Sequence, residues 1–133
     1  MSPIDGLISQ KSAHDAPETA RRFRTAAEQA GLAVFAEVDH GRNAAEVGLE
    51  LGPCILMLFG NPRAGTLLMQ AKLEAGIDLP LKVLVWTDAH GDTWLGWNDP
   101  QWIADRHGLG PTAQQTVSAM AAGMDRLASA ATV

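Results

Sequence analysis

The chain has 133 residues, which is enough for one domain with its own hydrophobic core. Hydrophobic residues make up 47% and charged residues 19%, a composition that excludes a disordered or fibrous protein. The net charge is −5, from 15 acidic and 10 basic residues, and the basic residues form no long stripe. A nucleic-acid partner is therefore not expected.

Neither a signal peptide nor a membrane span is expected. The first fifteen residues lack a basic region followed by a long apolar one. The longest apolar run, 54–59, is too short to cross a bilayer. The single cysteine, Cys54, lies in that run, where a buried core residue is expected. These features predict a cytoplasmic protein with no membrane partner.

The first half of the chain alternates strands with helices. Residues 6–13 predict a short strand, and 14–32 predict a helix with Asp15 as its N-cap. A strand follows over 32–40, with an inward face that consists of Leu32, Val34, Ala36 and Val38. Residues 42–51 predict a short helix in which Asn43 is the cap and Glu46 is its partner.

A buried strand is predicted over 53–60 and a helix over 61–76. Asn61 is the expected cap of that helix, Pro62 its first residue and Gly76 its end. Residues 78–88 and 92–99 predict a hairpin of two strands, followed by a short helix from Pro100 to Gly108. The last helix covers 112–130, with Thr112 and Gln115 as a capping box. Because the last two strands form a hairpin, an α+β class is favoured in a single domain over 1–133.

The stretch "FGNPRAGT" at the start of the third helix resembles a phosphate-binding loop without its lysine. Pro62 removes one backbone N–H, and Thr66 stands in the place of the lysine. A structural turn from strand to helix is the favoured interpretation. The alternative is a weak anion or ligand site formed by Asn61, Gly65 and Thr66 at the helix N-terminus.

Polar residues also cluster at the end of the second strand, in "VDHGRNAAE". His40 is a candidate general acid or base, with Asp39, Lys82 or Asp88 as its partner. Asn43 is a candidate ligand-binding residue. The competing interpretation is a capped turn, in which Asp39 and Asn43 satisfy backbone amides.

Four tryptophans occur within seventeen residues: Trp86, Trp94, Trp97 and Trp102. Trp86 shares its strand parity with Lys82, and Trp94 and Trp97 are expected on opposite faces. Such a cluster is typical either of a small-molecule pocket or protein interface, or of an ordinary core. Trp86 and Trp97 are the candidate ligand-binding residues.

No spacing of histidines or cysteines typical of a metal site is present, so neither a metal nor a cofactor is expected. A metal or haem site that uses His40, His107 or Met69 is the weaker alternative.

Four segments, "FAEVDHGRNAAEVGLEL", "LFGNPRAGTLLMQ", "GIDLPLKVLVW" and "WNDPQWIADRHGL", together resemble the domain of unknown function 302 family over about residues 6–109. The sequence departs from the family pattern at Thr87 and Trp97. The resemblance implies a curved, mainly antiparallel sheet with helices on one face, similar to the TATA-binding-protein-like class. It also implies a small bacterial protein that self-associates. It supplies no catalytic residues.

Three functions remain open at this point. The leading prediction is a non-enzymatic module that binds a small molecule or an anion. The alternatives are a small enzyme that uses His40, and a homodimeric structural or interaction protein.

Overall fold

The protein contains one five-stranded antiparallel sheet. The structure is a computed structural model that describes residues 4–133. The strands are Leu7–Lys11 (β1), Ala33–Asp39 (β2), Cys54–Gly60 (β3), Leu81–Thr87 (β4) and Thr93–Asn98 (β5). Their order across the sheet is β1-β5-β4-β3-β2, and every neighbouring pair is antiparallel. The predicted α+β class with a mainly antiparallel sheet is confirmed.

The helices follow the predicted order along the chain. They are Ala16–Gln29 (α1), His40–Glu46 (α2), Pro62–Ala71 (α3), Pro100–His107 (α4) and Gln114–Thr132 (α5). Two short 3₁₀ segments, Leu73–Asp78 and Pro111–Ala113, precede β4 and α5. Asp15, Asn61 and Asp99 each accept a backbone N–H at the start of a helix, as a cap must.

The core lies between one face of the sheet and the helices α1, α4 and α5. Alternate residues of β3, β4 and β5 supply that face, and Met57, Val83 and Leu95 have no exposed surface. Phe23 of α1 packs edge-on against Phe59 of β3, with ring centroids 4.9 Å apart. The helices are therefore packed on one face of the sheet, as the family resemblance implies.

The other face, which we call the open face, carries the remaining residues of each strand. Trp86 pairs with Trp94 there, and Leu84 pairs with Gly96. A Cβ atom added to Gly96 would lie 2.9 Å from the Trp86 ring, so the indole lies across this glycine. Trp97 lies in the core with 4% of its surface exposed, which confirms that Trp94 and Trp97 have opposite orientations.

The predicted inward face of β2 is only half right, because the strand contains a bulge. The register shifts between Val34 and Ala36. Val34 pairs with the core residue Phe59, whereas Ala36 and Val38 pair with residues of the open face. An extra residue in a strand reverses the alternation beyond it. Phe35, which lies at the shift, is 51% exposed.

The bounds of α2 and α3 differ from the prediction. Helix α2 begins at His40, because Asp39 and not Asn43 is its cap, with Asp39 Oδ1 accepting from the Arg42 amide at 2.9 Å. Helix α3 ends at Ala71 rather than at Gly76. Lys72 adopts an extended backbone, which lets the following 3₁₀ segment bury Ala75 completely. Tertiary packing overrides the helical pattern here.

Two further details were predicted wrongly. The Thr112 capping box is not formed, because a 3₁₀ turn leads directly into α5, whose cap position is Ala113. Cys54 is half-buried on the open face, opposite Trp86, and is not a core residue. Burial, with a further contribution from the charge of Asp39, raises the pKa of the Cys54 thiol.

Asp78 joins the 3₁₀ segment before β4 to the end of α4. His107 Nε2 lies 2.6 Å from Asp78 Oδ2, and Arg106 Nη1 donates to both carboxylate oxygens at 2.8 and 3.0 Å. Burial acts to raise the pKa of Asp78, but the hydrogen bond from His107 and the charge of Arg106 outweigh it. The pKa of Asp78 consequently lies below its usual value.

Asp78→Asn should lower the free energy of unfolding at pH 7 by about 1–3 kcal/mol, as expected for the loss of hydrogen bonds to a charged group. A carboxyl group whose pKa is depressed by folding stabilises the fold above its unfolded-state pKa, and this contribution is lost as the pH falls through the folded-state pKa. The difference between wild type and variant should therefore shrink from pH 5 towards pH 3. Urea unfolding across this range measures it.

Asp125→Asn is the matched control, since Asp125 is exposed on α5 and should leave stability unchanged. A difference between wild type and Asp78→Asn that stayed constant down to pH 3 would contradict this account of the Asp78 contacts.

Candidate functional site

Two of the partners proposed for His40, Asp39 and Lys82, lie on opposite faces of the sheet. Asp39 lies in the core-facing row with Ile55 and Val85, and its carboxylate is occupied as the cap of α2. Lys82 pairs with Leu58 on the open face, three residues along β4 from the row of Asp39. That offset corresponds to about 10 Å along the strand. The structure therefore does not place Lys82 beside Asp39.

Asp88 is used to close the β4–β5 hairpin. Its carboxylate accepts Trp94 Nε1 at 2.9 Å and the backbone amides of His90 and Asp92 at 2.9 and 3.0 Å. The hydrogen bond from Trp94 is the main reason that the pKa of Asp88 lies below its usual value. A carboxylate that accepts three N–H groups is a structural acceptor and a poor base.

Helix α2, which carries His40 and Asn43, is held close to the loop that follows it. A Cβ atom on Gly41 would lie well inside van der Waals contact with the Gly52 carbonyl oxygen. His40 is half-buried and Asn43 is exposed. Gly41, the glycine of "DHGRN", is thus required because the backbone at Gly52 lies too close for a side chain.

The start of α3 satisfies most of its own amides. Asn61 Oδ1 accepts from the Arg63 amide at 2.9 Å, and the Asn61 carbonyl accepts from the Gly65 amide at 3.1 Å. Thr66 Oγ1 donates to the Pro62 carbonyl at 2.7 Å. Since Pro62 has no N–H, few donors remain for an anion. The hydrogen bonds agree with the structural-turn interpretation of this stretch.

Asn61, Gly65 and Thr66 are the only members of the predicted ligand-binding set that lie together. Asn43 lies at the other end of β3, about 20 Å away by the length of that strand. Trp86 is on the open face, whereas Trp97 is in the core.

A large apolar groove adjoins the start of α3. Its volume is about 1270 Å³, and its walls are the end of α1, the ends of β3 and β4, α3, and the outer side of α5. Phe35 and Leu67, which are 51% and 41% exposed, lie on its walls. Asn61, Gly65 and Thr66 line it as well. We call this feature the α3–α5 groove.

Sequence reasoning missed the α3–α5 groove, although α5 carried a signal for it. Ala119, Gly123, Arg126 and Ala130 recur at helical spacing beside the buried stripe and line the groove. Phe35 alternates with the predicted inward residues Val34 and Ala36, so the pattern places it on the outer side of β2, but its position beside α3 and α5 depends on the fold.

No group of three or more histidine, cysteine, aspartate or glutamate side chains that could hold a metal ion is found within residues 4–133. Two of the residues named for a metal or haem have protein contacts of their own. His107 contacts Asp78, and Met69 packs next to Gly76.

The fold and the motifs together define the class of protein. The model of the family described as "Domain of unknown function DUF302" matches residues 8–127, and the chain belongs to this family. A crystal structure described as an uncharacterized conserved DUF302 protein from Bacillus stearothermophilus superimposes with a TM-score of 0.85. The match covers 96% of this chain and 99% of that one, and at 18% identity it shows the shared fold.

The sequence of this chain is also similar to part of the sequence of proteins that are named as ion channels. "Fluoride-specific ion channel FluC 1" of Brucella suis is 46% identical over 118 residues, which are 89% of this chain and 46% of that protein. "Fluoride-specific ion channel FluC 2" of Brucella melitensis is 46% identical over 118 residues, or 44% of its length. The chain thus spans less than half of these relatives. Within the described residues, no helix has the length and apolarity needed to cross a membrane.

These relatives correct the functional prediction. The prediction of a ligand- or anion-binding module, with a His40 enzyme or a homodimeric protein as alternatives, was wrong. Relatives that match most of the chain are named as ion channels. No local motif in the sequence indicated this connection.

Gly65→Ala should leave the fold intact and raise the free energy of unfolding by up to about 1 kcal/mol, because alanine has the higher helix propensity. A Cβ atom at Gly65 would be 3.9 Å from Leu79 Cδ1, which is ordinary van der Waals contact. Thermal and urea unfolding measure the change.

Gly41→Ala provides the contrast, because its Cβ atom would collide with the backbone at Gly52. Overpacking of this kind costs about 1–3 kcal/mol. If Gly65→Ala were as destabilising as Gly41→Ala, the α3 start would have a packing constraint that the structure does not contain.

Proposed function

We propose that this chain is an accessory domain that works bound to a fluoride-specific ion channel. The observation that carries the proposal is the 46% identity over 118 residues to proteins named as such channels. The matched segment is 46% of the Brucella suis protein, so 100 − 46 = 54% of that protein lies outside it. We assign ion conduction to that remainder, and attachment or regulation to the domain.

The distribution of polar groups supports an accessory role. Asp78 and Asp88 are occupied by contacts that fix one segment of the domain to another. Asp39 and Asn61 are occupied as helix caps. The apolar residues of α1 and α5 pack against the sheet in a core of their own. A domain built in this way offers its surface to a partner and has few groups free for chemistry.

We also infer that the domain lies on the cytoplasmic side of the membrane. Its one cysteine, Cys54, is a free thiol, which suits a reducing compartment.

Deleting the coding sequence of this chain should lower the fluoride concentration that the cells tolerate. Coupling between two bound components is typically at least about fivefold, and a change of that size is expected. Growth at graded fluoride concentrations measures this change. Fluoride release from vesicles that contain the channel, measured with and without the purified chain, shows whether the chain acts on the channel itself.

Chloride at the same ionic strength is the control for salt stress. Full fluoride tolerance in a strain that has this chain but lacks every fluoride channel would contradict the proposal. Equal tolerance with and without the chain, together with unchanged release from the vesicles, would also contradict it.

A further inference from the structure

We propose that the α3–α5 groove is the docking site for an amphipathic helix of the channel polypeptide, and that the polar side of this helix carries carboxylates. The inference rests on the proposed function and names the surface by which the chain would bind the channel. The occupant follows from the size, the lining and the charge of the groove.

The size of the groove suits a helix better than a metabolite. Pockets for small molecules typically occupy about 300–1,000 Å³, whereas this groove measures about 1270 Å³. An α-helix with its side chains is about 10–12 Å wide and rises 5.4 Å per turn, so each turn fills roughly 500 Å³. The groove could enclose about two full turns, or the apolar half of about four or five.

The lining is adaptable and apolar. Three of the five methionines of the chain line the groove, namely Met69, Met120 and Met124. Methionine fills irregular gaps between packed side chains and is common where proteins receive a helix in a groove. Phe35 and Leu67 add exposed apolar walls that a helix could cover.

The small residues of α5 favour close approach. Ala119, Gly123 and Ala130 lie on the wall that α5 presents to the groove. Small side chains let two helices approach closely and so increase the contact between them. This wall is therefore suited to a second helix packed along α5.

The charge of the groove selects acidic partners. Arg63 and Arg126 are the only charged residues among the described ones that line it. Neither arginine forms a salt bridge within residues 4–133. The chain as a whole carries a net charge of −5, so the positive charge of these two arginines is opposite in sign to the net charge of the chain. Arginine pairs with carboxylates through two parallel hydrogen bonds, which would fix the register of a docked helix.

The test compares binding of groove variants to a full-length fluoride-specific ion channel from the same organism, reconstituted in vesicles of phosphatidylcholine and phosphatidylglycerol. Co-sedimentation of the full chain gives the affinity. The double variant Arg63→Glu/Arg126→Glu should weaken binding by about tenfold or more, because its charges would repel the carboxylates of the partner. Phe35→Ser should weaken it by about tenfold through lost apolar contact.

Two matched variants outside the groove control for surface charge and surface apolarity. Arg42→Glu changes an exposed arginine of α2, and Leu51→Ser changes a leucine that is 57% exposed. Both should bind as the wild type does. All the altered side chains are exposed, so the unfolding curves of the variants should match that of the wild type.

Three outcomes would overturn the inference, and each is distinct. If the wild type binds the channel and the groove variants bind equally well, the groove is not the docking site, although the proposed function stands. If the wild type does not bind the channel at all, the proposed function fails together with its docking site. Equal binding to vesicles of the same lipids without the channel would make the membrane surface the partner.

Discussion

The antiparallel sheet buries only one of its faces, and the rest of the structure follows from this constraint. Met57, Val83 and Trp97 lie in one row across three strands and are at most 4% exposed, because α1 and α5 cover this face. Burial of alternate residues fixes the register of each strand, since a slip by one residue would move the whole apolar row to the other face. The two helices contact each other above this row and close the core.

The polar residues of the sequence motifs serve the same architecture. Asp39, Asn61 and Asp99 start three helices, and Asp88 closes the hairpin between β4 and β5. Asp78 then fastens the segment before β4 to α4. These motif residues therefore have structural roles in the fold of this chain. The α3–α5 groove is lined mainly by apolar residues, with two arginines on its walls.

Sequence reasoning predicted the order of the elements, the antiparallel hairpin and the opposite orientations of Trp94 and Trp97, since these depend on local periodicity. It could not predict the register shift in β2 or the end of α3 at Ala71, because both depend on contacts between distant segments. The grouping of the candidate site residues also depends on the fold. Asn61, Gly65 and Thr66 do lie together, but Phe35 and Arg126, which join them in the groove, are 26 and 65 residues away from Asn61 in the chain (61 − 35 and 126 − 61).

The bulge in β2 also bears on the solubility of the domain. β2 is an edge strand, and an uninterrupted edge offers a row of free amides and carbonyls to which the strand of another molecule can add. The shift between Val34 and Ala36 breaks the regular spacing of that row near its middle. Strand addition would then require either a matching irregularity or the loss of hydrogen bonds. The irregularity at Phe35 thus protects this edge against fibre-like association.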